Sequence, residues 1–184
     1  MGWKKFFGIK ENDKKTPPPD PLKDHTLSNL KPGYYVDYDL STWEVKSGHY
    51  YDWGEGDITH EWKLDSVDDT IYLEMEQDDE VSWSVCRKIP IEQLGRGVPE
   101  HIRDHGQPPD EIRFDGKIYY FEEGGGGHFY PDGRGPEKPL LKWDYEDDSG
   151  KYYLSIEQWE EEEFEASSGI PVEEYQFINI LPTE

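Results

Sequence analysis

Cysteine occurs once, at Cys86, so neither an intramolecular disulfide nor a cysteine-ligated zinc site can form. Alanine also occurs once, at Ala166, whereas the chain holds 18 Gly and 14 Pro. That usage disfavours long helices and favours strands and turns. Leu, Ile, Val and Phe together number 37 of 184 residues, near the threshold at which a strongly charged chain fails to fold. No apolar run approaches the ~18 residues of a membrane-spanning helix, and no signal-peptide hydrophobic stretch is present. The body is therefore expected to be cytoplasmic. What the chain has instead is 7 Trp and 13 Tyr. Each can bury ~150–250 Å², so an aromatic core is feasible where an aliphatic one would be thin.

Basic residues are the scarcer charge, 19 against 42 acidic, and the net charge is −23. Residues 1–15 run against this trend: five Lys against Glu11 and Asp13 leave them at +3, and the remainder at −26. A body this acidic repels phosphate backbones and anionic lipid, so no direct nucleic-acid binding is expected of it. A solvated, solubilising surface explains the charge; an acidic mimic of nucleic acid is the alternative. In the leader, Trp3, Phe6, Phe7 and Lys10 fall at helical spacing beside Lys4 and Lys5. One aromatic face with flanking Lys suits a membrane interface or a groove on a partner protein. Gly2 is followed by Phe6 where the myristoylation pattern wants Ser or Thr, so a lipid anchor does not fit. The proline-rich run Thr16–Pro21 is a semi-rigid extended spacer that separates the leader from the body.

The body is written twice. Shifted by 81, residues 62–94 align without a gap to 143–175, matching Trp62/Trp143, Tyr72/Tyr153, Leu73/Leu154, Glu76/Glu157, Gln77/Gln158 and Pro90/Pro171 among others. Upstream the shift becomes 79, where Gly48-His49-Tyr50-Tyr51 meets Gly127-His128-Phe129-Tyr130. At the start it is 76, pairing Val36, Tyr38 and Trp43 with Ile112, Phe114 and Tyr119. The expected organisation is a leader (1–15), a Pro-rich linker (16–26), a first β repeat (27–97), a linker (98–108) and a second β repeat (109–184). Each repeat reads as short strands joined by tight turns, with Gly124–Gly127 and Pro131–Gly135 as turn segments bracketing an aromatic stretch. Pro90 and Pro171 each open a short helical turn, over Ile91–Leu94 and Val172–Tyr175. The fold class is all-β: two tandem antiparallel meanders packed with pseudo-twofold symmetry, as a sandwich or as paired small barrels.

Period-2 alternation puts Ile71, Leu73 and Met75, and likewise Tyr152, Leu154 and Ile156, on core faces, completed by Trp62, Trp83, Trp143 and Phe164. Tyr72 and Glu76, with Tyr153 and Glu157, fall on the opposite faces. If His49 and His128 approach the same surface, two His, two Glu and two Tyr converge into a ligand site, with imidazole and carboxylate suited to a metal or to acid–base work. The structural alternative is that the imidazoles satisfy hairpin hydrogen bonds and the Tyr–Glu pairs stabilise a sheet face. Cys86 matches Ser167 in the other copy, which argues against a thiol nucleophile. His101 and His105 lack the Glu of a zinc-protease helix, and Gly124–Gly127 lacks the Lys-Ser/Thr of a phosphate loop. No catalytic residue, cofactor or metal ligand is assigned.

The segments Leu30-Lys31-Pro32-Gly33, Val36-Asp37-Tyr38, Thr42-Trp43-Glu44-Val45, Tyr51-Asp52-Trp53, Glu61-Trp62-Lys63-Leu64 and Tyr152–Glu157 resemble a bacterial family, the domain of unknown function 4178, over nearly all of residues 27–182. The resemblance implies a soluble bacterial protein and carries no catalytic residues. Composition, leader and resemblance together lead to one expectation: a non-enzymatic binding or adaptor protein, cytoplasmic or peripheral to the inner face of the membrane. Trp3, Lys4, Lys5, Phe6, Phe7 and Lys10 would dock on a membrane or a partner protein. The alternatives are a small-ligand or metal-binding enzyme using the duplicated His/Glu residues, and the nucleic-acid mimic.

Overall fold

A computed structural model describes residues 25–77 and 80–183; the leader and most of the proline-rich linker lie outside the described residues. The elements are β1 (Tyr35–Tyr38), β2 (Ser41–Gly54), β3 (Asp57–Asp65), β4 (Thr70–Gln77), β5 (Val81–Ile89), α1 (Val98–His105), β6 (Glu111–Phe114), β7 (Lys117–Tyr130), β8 (Lys138–Asp147), β9 (Tyr153–Glu160), β10 (Glu163–Val172) and β11 (Ile178–Leu181). The strands form one antiparallel sheet in the order β11-β1-β2-β3-β4-β5-β10-β9-β8-β7-β6, and β2 additionally pairs with β7. That last pairing joins Tyr50–Asp52 to His128–Tyr130 and partly closes the sheet into a ring.

The long strands β2 and β7 make this closure possible. The near half of β2 pairs with β1 across a tight turn at Asp39-Leu40, while its far half reaches β7. The near half of β7 pairs with β6 across Asp115-Gly116. Both turns have two successive positive-φ residues, the two-residue hairpin geometry that matches strand twist. The sequence expectation of one sandwich or two small barrels resolves into a single sheet whose two meanders each wrap an apolar core of their own. Trp43, Val45, Trp62, Leu64, Ile71, Leu73, Met75, Trp83 and Val85 form the first, with Leu27 and Leu30. Tyr119, Trp143, Tyr145, Leu154, Ile156 and Ala166 form the second, with Leu94, Val98 and Ile102. Leu73 and Leu154 are both fully buried.

Several elements differ from expectation. The run Gly124–Gly127 lies inside β7 rather than in a turn. At its two ends indole rings occupy the space a side chain would need: a Cβ at Gly124 would run into Trp143, and one at Gly127 into Trp53. Segment 98–108 contains α1, because Val98 and Ile102, four residues apart, reach the second core. Pro171 and Val172 belong to β10, and the 3₁₀ turn starts only at Glu174. Tyr152 is exposed, under the Lys117 ammonium at 4.1 Å from its ring centre, and Phe164 only edges the second core.

The strand registers do not follow the shifts of the sequence alignment. Gly48 faces Trp62 and Gly124 faces Trp143, so β2 and β7 correspond with a shift of 76 along their whole length. On that shift His49 aligns with Gly125 and His128 with Asp52, not with each other. Leu73 lies between Trp62 and Val85, and Ile156 between Trp143 and Ala166. Strand β4 thus corresponds to β9 with a shift of 83, two residues away from the gapless alignment. A slip of two keeps every side chain on its face, which is why the burial pattern survives it.

Candidate functional site

The faces of β3, β4, β5, β8, β9 and β10 turned away from the two cores are polar. In β3, Thr59, Glu61 and Lys63 alternate with Ile58, His60, Trp62 and Leu64; in β8, Lys142, Asp144 and Glu146 alternate with Leu141, Trp143 and Tyr145. Contacts between the halves are made from this layer. The Tyr51 hydroxyl lies 3.3 Å from a carboxyl oxygen of Glu61 and 3.3 Å from one of Glu157. The Lys88 ammonium bridges Glu157 at 3.2 Å and Glu165 at 2.7 Å. Glu61 and Glu157 are 4% and 6% exposed.

Two carboxyls flanking one hydroxyl cannot both accept its single proton. Burial, reinforced by Glu74, pushes the Glu61 carboxyl up to about 8. At neutral pH the consistent arrangement is a protonated Glu61 donating to Tyr51, which donates to Glu157. Burial would lower Lys88, but Glu157, Glu61 and Glu165 outweigh it and raise its pKa, so it stays an ammonium. Burial, followed by Glu74 and Glu61, holds the Cys86 thiol well above its usual range, and a thiol so held is a poor nucleophile.

At one end of this polar layer two cavities, of about 260 and 250 Å³, share Glu76, Glu123, Lys142 and Asp144. The larger takes Glu74 and Ser84 from the first half and Asp144, Tyr153 and Ser155 from the second. Ser155 donates a hydrogen bond to Asp144. The smaller is bordered by Trp53 and by Gly124–Gly126.

The six sequence-nominated residues do not form one site. His49 has both ring nitrogens occupied: Nδ1 accepts the Asp132 N–H at 3.0 Å, and Nε2 donates to Ser47 Oγ at 2.7 Å. Burial lowers its pKa, consistent with that neutral tautomer. His128 is exposed on β7. Tyr153 and Glu76 line the larger cavity. Tyr72 lies under Lys88, 5.4 Å from its ammonium, and Glu157 sits in the buried cluster. Among the described residues no three His, Cys, Asp or Glu side chains are grouped so as to hold a metal ion. Sequence reasoning missed Tyr51, Glu61, Lys88, Lys142 and Asp144. For Glu61, Lys142 and Asp144 the signal was the alternation of charge with aromatic and aliphatic residues in β3 and β8, which marks a polar sheet face without saying that the face is covered.

Among the described residues no helix is long and apolar enough to cross a membrane. An "Uncharacterized protein" of Aquifex aeolicus (strain VF5) is similar to this chain, 28% identical over 179 residues, which is 97% of this chain and 96% of that one. No solved structure matches it. Residues 31–174 match the family described as Domain of unknown function (DUF4178), and the chain belongs to that family.

Proposed function

We propose that the protein is a non-enzymatic binding protein whose ligand site is the cleft at the joint between its two halves. One observation carries this reading: two cavities with shared walls open where the meanders meet, lined by polar groups of both halves. Clefts between packed units are where small-molecule sites recur. Amide chemical shifts recorded against a small-fragment library test it. Binders should perturb Glu76, Glu123, Lys142 and Ser155 together; a library that leaves these amides unmoved refutes it.

The leader supplies a second, separate attachment. The Trp, Phe and Lys residues of its sequence suit an anionic membrane surface, and a proline-rich run separates them in sequence from an acidic body that such a surface would repel. Vesicles of mixed zwitterionic and anionic lipid should co-sediment the full chain and not one lacking residues 1–15; equal sedimentation of both refutes the membrane role.

A further inference from the structure

The larger cavity is walled by six carboxyl side chains, Glu74, Glu76, Glu122, Glu123, Asp144 and Glu146, with Trp83, Tyr145 and Tyr153 as its aromatic surface. Its one cationic side chain is Lys142. That residue is 8% exposed, and its ammonium lies over the Trp53 ring, 5.6 Å from the ring centre. Lys142 lines both cavities. Its nearest carboxyl oxygen is Asp144 Oδ2 at 3.6 Å, too far for a hydrogen bond, and the other Asp144 oxygen already accepts from Ser155. Among the described residues no acceptor lies within hydrogen-bond distance of this ammonium. The ammonium is thus ion-paired with Asp144 rather than hydrogen-bonded to it, and its donors face the open space of the cleft.

Two requirements on an occupant follow. The free Lys142 donors call for an acceptor oxygen, and a full carboxylate answers an ammonium best. The surrounding carboxyls repel a net anion and, at short range, attract ammonium or guanidinium groups. The aromatic wall suits the alkyl stem joining the two ends and the cation itself. Taking the cleft as a ligand site, as proposed above, the geometry points to a basic amino acid, or a molecule with the same disposition of one carboxylate and two cationic groups, bound with its carboxylate on Lys142 and its cations toward Glu76 and Glu123.

Calorimetry of the full chain with three probes tests this: L-lysine, 1,5-diaminopentane, which lacks the carboxylate, and glutarate, which lacks the cations. L-lysine should bind about tenfold more tightly than the diamine and weaken as salt rises from about 50 to about 500 mM. Glutarate should not bind. Lys142→Met should erase the preference for L-lysine over the diamine. Should that variant fail to fold, Glu123→Gln, at the exposed rim, should weaken both cationic probes and keep the preference. Equal binding of lysine and diamine by the wild type, or binding of glutarate, overturns the inference. If the fragment library perturbs the cleft amides while neither cationic probe binds, the ligand class is wrong and the binding site stands. If no compound perturbs them, both fall.

Discussion

Glu61→Gln isolates the buried proton at the joint. The side chain is 4% exposed, and its carboxyl is raised from an ordinary 4.5 to about 8. The folded state therefore holds a proton that the unfolded chain releases above pH 4.5. For a group raised on folding, the stability contribution is fully present below 4.5 and is lost as pH climbs through 8. Glutamine keeps the shape and a donor toward Tyr51 but never ionises, so it removes this loss. At ~1.4 kcal/mol per pH unit, the variant should equal the wild type near pH 4. It should be more stable by about 3 kcal/mol at pH 7 and by about 5 kcal/mol at pH 9. Urea unfolding followed by the fluorescence of the 7 Trp residues measures this directly. The slope m should be unchanged, because the surface exposed on unfolding is the same. A variant destabilised by a similar amount at every pH would show that Glu61 is ionised and paired with Lys88 and Lys142, and the proton chain through Tyr51 would be wrong.

Two further substitutions probe the frame around the site. Leu40 is wholly exposed with φ at +63°, in a hairpin whose counterpart carries Gly116; Leu40→Gly should stabilise by about 1 kcal/mol by relieving the left-handed conformation, read as a rise in the urea midpoint. Lys88→Met removes the cation bridging Glu157 and Glu165 and should cost about 3–5 kcal/mol, because a buried carboxyl is left unpaired. A cost below about 1 kcal/mol, as for an exposed pair, would show that the bridge does not hold the halves together.

Local patterns in the chain were enough to place most strands. Strand β4 runs over Thr70–Gln77 as its alternation predicts, and the Asp115-Gly116 turn lies between two strands as its dipeptide requires. The glycine run was misread because glycine marks a turn and a close approach alike; only the Trp53 and Trp143 rings, distant in sequence from those glycines, distinguish the two. The His49/His128 pairing failed for a related reason. Identity aligns Gly-His-Tyr-Tyr with Gly-His-Phe-Tyr, but strand register follows hydrogen bonds and places His128 opposite Asp52.

By itself, the sequence determined an all-β body, its aromatic interior and a polar face on each meander, because these follow from side-chain period and composition, which are local. Tertiary structure alone decided that the two polar faces meet. Tyr51 and Glu157 stand 106 residues apart, and no local pattern encodes the pairing of β2 with β7 that closes the ring. Covering turns an ordinary charged sheet face into a water-poor layer. There a carboxyl keeps its proton at neutral pH, and a lysine is left with donors facing an open cleft.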